Sequence, residues 1–335
     1  MTVSDDGYFI GTVGLFNSLR LTGNNQPVVV IDLGLTVAQR ELLSNVCEVR
    51  PPPVGLEGRL PVFIKATLGL LGLQGTVALI DSDMIVTSAL GSILDEASAG
   101  RICAFVDEPV RDRQFPEWAE ALELRAELRP QPYVNSGFLA LEADRWSGLL
   151  RRWWELSARI SAERSRLPQI APDRFALAFG FPEQDVLNAI LMSETPTEEI
   201  FFLRGALAPT PLENPSTRVL DRQQLICANG TVRAILLHHL WHPKPWSRPS
   251  AATRLYFGAY VDLLARVLTA DDVPLRLRSG DIPLWLRDGP AGRLTRGALY
   301  RAGQIARRGL RHVPQVGEGP IRRIARAIVP PERHG

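Results

Sequence analysis

The stretch Thr76-Val77-Ala78-Leu79-Ile80, followed at once by Asp81-Ser82-Asp83, constrains this chain more than any other. Five uncharged residues bounded by Gly75 and the acids suit a strand covered on both faces. Such strands belong to parallel sheets with helices packed against them. The acids then fall at the carboxyl end of the strand, the edge at which open α/β sheets bind their ligands. Two carboxylates two residues apart there supply the oxygen ligands that Mg²⁺ and Mn²⁺ take. Asp-x-Asp also occurs in ordinary turns and helix caps, so the spacing by itself leaves both readings open.

The flanking sequence repeats the pattern. Residues 27–32 read as a buried strand ending in Asp32, and Thr36 to Leu43 as a helix with Thr36 as N-cap. Pro51, Pro52 and Pro53 break the chain. Leu60 to Leu73 has near-helical apolar spacing, ended by Gly75. A strand is expected at Ile102 to Val106, ending in Asp107, and a helix from Pro116 to Leu128. A strand follows at Val134 to Leu141, then helices at Arg145 to Ile160 and Asp185 to Met192. Ile235 to Leu237 reads as a short strand leading to His238 and His239. Strands alternating with helices predict an α/β domain, its central sheet mostly parallel and flanked by helices. Three strands ending in Asp32, Asp81 and Asp107 predict a polar cleft along one edge of it.

The 335 residues suffice for one large domain or two modest ones, and 45% hydrophobic with 22% charged residues is the balance of a folded protein. Three scattered cysteines, Cys47, Cys103 and Cys227, form neither a disulfide scaffold nor a sulfur metal site and suit a reducing compartment. The sequence has no signal-peptide pattern and no run of the roughly 18 to 20 apolar residues that span a bilayer. The expected location is cytoplasmic. The net charge of +2 conceals an asymmetry: from Arg248 onward there are 16 Arg, no Lys and 7 acids. The division expected from this is a catalytic region at 1–247 and an Arg-rich, mostly helical region at 248–335. From Leu294 to Val313, Leu299, Ala302, Ile305, Ala306 and Leu310 fall on one helical face. Arg296, Arg301, Arg307, Arg308 and Arg311 fill much of the rest. That arrangement is compatible with an anionic membrane surface at the inner face of the cell membrane, and equally with a helix packed on its own domain. The tail has few of the interleaved aromatics that a nucleic-acid site uses, so no nucleic-acid partner is expected.

Four motifs in order carry a family resemblance. They are Leu79-Ile80-Asp81-Ser82-Asp83, then Asn135-Ser136-Gly137-Phe138, then Glu183-Gln184-Asp185-Val186-Leu187-Asn188, and finally His238-His239-Leu240-Trp241-His242-Pro243-Lys244-Pro245-Trp246. Over roughly residues 3 to 247 the chain resembles the GT-A fold glycosyltransferases. Within them it is most similar to the retaining family 8 group that includes glycogenin and bacterial lipopolysaccharide galactosyltransferases. The resemblance implies a GT-A, Rossmann-like fold and transfer of a hexose from a nucleotide diphosphate sugar, UDP being the expected carrier. The acceptor would be a hydroxyl of a glycan, a lipid-linked sugar or a small molecule. Two positions depart from the family pattern: Trp241 stands where the family has glycine, and Glu183 where it has aspartate.

Residue by residue, the resemblance implies that Asp83, Asp81 and His238 hold Mn²⁺ or Mg²⁺, with Asp81 also reaching the donor ribose. Lys244 would stabilise the departing diphosphate, and Lys65 would meet donor phosphate or sugar. Tyr8 would stack on the base and Asp5 or Asp6 contact base or ribose, with Ser82 and Ser136 also at the donor. Asn135, Gln184 and Asp185 would form the sugar pocket. Gln184 would face the anomeric carbon, which favours front-side transfer, whereas a covalent route would need Glu183 or Asp185. Asp107 resembles an acceptor-side carboxylate and would serve equally as a loop cap. Two other functions fit these residues: a non-catalytic protein that binds sugar nucleotides or glycans, and a sugar nucleotidyltransferase. The latter would want an early Gly-rich phosphate loop, which the sequence lacks.

Overall fold

The computed structural model describes residues 1–53, 64–164, 174–210, 216–240, 242–247 and 258–311. Along the chain these form β1 (Thr2–Ser4), α1 (Phe9–Leu21), β2 (Val29–Asp32), α2 (Val37–Ser44), β3 (Glu48–Arg50), β4 (Thr76–Ile80), β5 (Met84–Val86) and α3 (Gly91–Ser98). Then come β6 (Ile102–Val106), α4 (Glu117–Ala121), β7 (Val134–Glu142), α5 (Ser147–Arg164), α6 (Pro182–Glu194) and β8 (Ile200–Leu203). The last are β9 (Thr217–Asp221), β10 (Ile226–Asn229), β11 (Val232–Arg233), β12 (Leu236–His238), α7 (Ala259–Thr269) and α8 (Pro290–Arg311). Counted over described residues, they gather into two compact units. The first takes Met1–Gly7, Pro27–Ser82 and Leu90–Gly205, and the second takes the remainder.

In the first unit β1, β2 and β3 pair in parallel, and a four-stranded sheet has the order β4-β7-β6-β8. Strands β4, β6 and β8 run one way and β7 runs against them. The sheet is covered on both faces, because Phe138 and Ala140 are as buried as their alternates Leu139 and Leu141. Leu139 and Leu141 share a core with Leu150 and Trp153 of α5 and with Val186, Leu187, Ile190 and Leu191 of α6. Helix α2 begins where Thr36 predicts: its side chain accepts from Gln39 N, and the Gln39 side chain accepts from Thr36 N, a complete capping box.

The second unit contains α1, the antiparallel pair β5–β12, the meander β9-β10-β11, and α7 and α8. Helices α1 and α7 approach closely at Gly14, where an added Cβ would lie 2.6 Å from Leu264 Cδ1. Fully buried Asn17 stitches that contact together, donating to the carbonyls of Val267 (2.7 Å) and Leu275 (2.9 Å) while accepting from Leu275 N (2.9 Å).

Three expectations need correction. The helix expected over Pro116 to Leu128 is only α4, because Leu122 caps it and Glu123 takes a positive φ of 48°. The described part of the segment from Leu60 to Leu73 is a 3-10 helix over Lys65–Leu70, and residues 54–63 lie outside the described residues. Helix α8 forms, but its apolar face is only partly covered: Leu299 and Ala302 are half-buried, and the Ala306 and Leu310 side chains lie outside what is described. Gly292, Arg296 and Gly303 face inward while Leu294 and Ile305 are 71% and 72% exposed. Arg296 donates to the carbonyls of Trp285 and Arg287 and to Asp288, so its charge is satisfied inside. Residues 312–335, with the end of the expected helix, lie outside the described residues.

Candidate functional site

In the first unit the site is built where β4 ends beside the start of β7. Asp81 N donates to Gly137 O at 2.8 Å, pinning the Asp81 backbone to the Asn-Ser-Gly segment. Lys65 is buried, not solvated. Its Nζ lies 3.1 Å from Asp81 Oδ2, 3.3 Å from Glu183 Oε1 and 3.4 Å from Ser136 Oγ. Burial works against its charge, but the carboxylates of Asp81 and Glu183 outweigh it and hold the ammonium above the usual lysine range.

The first turns of α6 explain the Glu-Gln-Asp-x-x-Asn spacing. Glu183 Oε1 accepts from Ser136 Oγ at 2.8 Å. Gln184 Oε1 accepts from Ser136 N at 3.0 Å, and its Nε2 donates to Asp107 Oδ2 at 3.1 Å. Asn188 pairs with both backbone groups of Val134, accepting from its N (2.7 Å) and donating to its O (2.8 Å). Asn135 Nδ2 donates to Asp107 Oδ2 at 3.2 Å while its Oδ1 accepts from Gly137 N. The strand-end acid Asp107 therefore orients both amides for which the family resemblance implies a sugar pocket. Asp32, the other strand-end acid of this unit, is committed locally. Its Oδ1 accepts from Gly34 N and Leu35 N, and Arg40 Nε lies 2.6 Å from its Oδ2.

Asp185 is fully buried and enclosed. Arg113 bridges it with Nε to Oδ1 at 2.6 Å and Nη2 to Oδ2 at 3.0 Å. Tyr133 Oη donates to Oδ1 and Phe181 N to Oδ2, both at 2.7 Å. Burial pushes its carboxyl up to about 6 despite these donors. So placed, Asp185 orients α6 and is not free to attack a substrate carbon.

In the second unit, antiparallel pairing sets His238 opposite Met84, the residue after Asp83. His238 Nε2 lies 3.2 Å from Asp83 Oδ1. Lys244 Nζ donates to Asp83 Oδ2 at 2.6 Å and to His239 O at 2.7 Å. Burial would raise the Asp83 carboxyl, but Lys244 and His238 hold it far below the carboxylate range. Burial, with help from Lys244, pushes His239 down to about 3, so it is a neutral ring packed edge-on against Tyr260. Tyr8 Oη pairs with His242 Nε2 at 3.0 Å, its ring sits edge-on to Trp246, and Lys244 Nζ is 5.4 Å from its centroid.

Asp81, Asp83 and His238 each offer one ligand atom within 4.8 Å of the others. Asp83 Oδ1 is buried and faces the His238 imidazole at 3.2 Å, so the two present an oxygen and a nitrogen to the same point. Two hard carboxylate oxygens and one imidazole nitrogen suit Mn²⁺ or Mg²⁺. Ser82, between the acids, is buried. Asp5 is half-buried, and exposed Asp6 accepts from Gln39 Nε2 at 2.7 Å. Trp241 lies outside the described residues.

Solved structures share this architecture. The galactosyltransferase LgtC, in complex with donor and acceptor sugar analogues, is 17% identical, with 81% of this chain and 96% of LgtC covered and a TM-score of 0.52. This chain has a GT-A-like fold. An active-site mutant of LgtC is also 17% identical, over 78% of this chain and 93% of its own, with a TM-score of 0.50. The bifunctional glycosyltransferase WbbM in its apo form is 15% identical over 82% of this chain, with a TM-score of 0.51. The matched part is 49% of WbbM, so the likeness covers about half of that protein. Neither a family model nor a curated protein matches the chain.

Two members of the site escaped the sequence. Arg113 is one of many arginines, and no spacing marks it. Tyr133 precedes the Asn-Ser-Gly strand without belonging to its motif. Asp107 carried a signal, its strand-end position, but not the identity of its partners.

Proposed function

We propose that this chain is a metal-dependent, retaining glycosyltransferase that moves a hexose from a nucleotide diphosphate sugar, with UDP as carrier, to a hydroxyl of a glycan, lipid-linked or small-molecule acceptor. The observation that carries this reading is the Asp81, Asp83 and His238 group with Lys244 on Asp83. A divalent cation held there supplies positive charge to the diphosphate as it leaves. Lys244 and Lys65 add ammonium charge for the same phosphates. Asn135 and Gln184, oriented by Asp107, offer amides to the sugar hydroxyls. Tyr8, with Asp5 or Asp6, is assigned to the base and ribose.

In the reaction the bond from the anomeric carbon to the diphosphate oxygen breaks and its electron pair leaves with the diphosphate. The acceptor oxygen bonds the same carbon, and its proton passes to a diphosphate oxygen. Enclosure of Asp185 by Arg113 and Tyr133, and the engagement of Glu183 by Ser136 and Lys65, support this front-side route over a covalent one. We place the protein in the cytoplasm, with the basic, outward-facing side of α8 against anionic lipid.

Hydrolysis of UDP-, GDP- and dTDP-hexoses with Mn²⁺ or chelator tests the reading. A Mn²⁺-dependent signal from one UDP-hexose, lost in Asp83→Asn, is expected. Binding without turnover, with acceptors supplied, would instead establish a non-catalytic sugar-nucleotide binder. One observation favours that second reading: each acid of the Asp-Ser-Asp segment already has its own ammonium partner.

A further inference from the structure

We propose that Arg113 is a positioning residue for Gln184, holding the amide that meets the donor sugar through the carboxylate of Asp185; this rests on the transferase reading above. Gln184 and Asp185 are neighbours in the first turn of α6, where successive side chains diverge by about 100°. One turn is therefore fastened in two directions. Gln184 is held by Ser136 and Asp107, and Asp185 by Arg113 and Tyr133.

Arg113 also gathers the chain that leads into the helix. Its Nη1 donates to Phe175 O at 2.6 Å and its Nη2 to Leu177 O. The guanidinium packs over the rings of Phe115 (4.6 Å) and Phe181 (5.1 Å), which limits its sway. A planar fork of five donors makes these contacts together; an ammonium cannot. The guanidinium is 4% exposed and its carboxylate 0%, so neither has water as a substitute partner. Loosening the fork frees the first turn of α6 to rotate, and Gln184 moves with it. A displacement of about 1 Å in a group that orients substrate costs on the order of 100-fold in rate.

The test is a double-mutant cycle on the full chain, with Arg113→Lys and Gln184→Ala alone and together. Arg113→Lys keeps the charge, and thermal midpoints establish that each variant is folded. Expected is a fall in kcat of about 10- to 100-fold for Arg113→Lys, with the donor KM within about threefold. In the Gln184→Ala background the same change should cost less than about threefold, because the two act as one unit. Hydrogen exchange of the amides at 183–188 should quicken in Arg113→Lys. Wild-type kcat in Arg113→Lys overturns the proposal, as does a full loss that persists in the Gln184→Ala background, which would mark a merely structural residue. If the wild type binds donor but turns none over, the transferase reading fails, and the cycle read on UDP-hexose affinity decides Arg113 by the same non-additivity. Absence of both binding and turnover overturns both.

Discussion

Arg113–Asp185 and Lys244–Asp83 are both buried ion pairs, with side-chain exposures of 4% and 0% in the first and 4% and 9% in the second. They differ in what each carboxylate has left over. Asp185 is bridged at both oxygens and takes two further donors, so nothing remains for a ligand. Asp83 meets one ammonium at Oδ2, and its Oδ1 faces the ring nitrogen of His238 at 3.2 Å, so it has two polar neighbours where Asp185 accepts four hydrogen bonds. A saturated pair fixes geometry, whereas an unsaturated one keeps a coordination position for chemistry. Burial alone does not separate structural charges from functional ones; the count of satisfied lone pairs does.

Four measurements break or sharpen this contrast. The largest effect is expected from Asp83→Asn, which should lower Mn²⁺-dependent turnover about a thousandfold, roughly 4 kcal/mol of barrier. Stability should also fall, because Lys244 loses its counter-charge, but by less than in Asp185→Asn, since the ammonium keeps the His239 carbonyl and an amide oxygen as acceptors. Turnover followed against Mn²⁺ concentration and a urea curve report the two quantities, and a stability loss as large as that of Asp185→Asn would erase the distinction. Asp185→Asn should weaken the fold more, costing about 3–5 kcal/mol at pH 7 by leaving Arg113 buried without a counter-charge. Urea midpoints measure it, and a loss under about 1 kcal/mol would break the comparison.

The third effect is a pH dependence. The Asp185 carboxyl titrates at about 6 in the folded protein, against about 3.9 in an unfolded chain. The folded state thus binds that proton more tightly. The stability it contributes is complete below about pH 4 and is lost as pH rises to about 6, a fall on the order of 2–3 kcal/mol. Urea midpoints at pH 4 and pH 6.5, compared between wild type and Asp185→Asn, isolate it; an unchanged slope in the variant would assign the dependence elsewhere. The smallest effect is the control. Leu294→Ser and Ile305→Ser on the exposed side of α8 should each change stability by less than about 0.5 kcal/mol in the same assay.

What was legible in the sequence was local. The apolar run before Asp81, the strands at residues 102–106 and 134–141, and the Thr36 cap follow from neighbours within a few residues. The order of the four motifs likewise anticipated the fold. Two kinds of feature were not legible. Arg113 finds its partners 62 to 72 residues away, and no periodicity encodes such a pairing. On α8 the pattern of apolar and basic positions left open what the helix packs on, and it carried no sign that backbone carbonyls and Asp288 surround Arg296. A guanidinium satisfies those groups and a leucine does not, so Arg296 turned inward and Leu294 outward.

The Asn188 side chain, bonded to both backbone groups of Val134, behaves like one extra residue of sheet carried on a helix. The alignment of β7 is consequently referenced to α6 as well as to its neighbouring strands. A slip of β7 by one residue would cost that amide pair together with the seating of Glu183 and Gln184 on Ser136. The native alignment of β7 and the placement of Gln184 are thus held by the same set of hydrogen bonds, and what disturbs one disturbs the other.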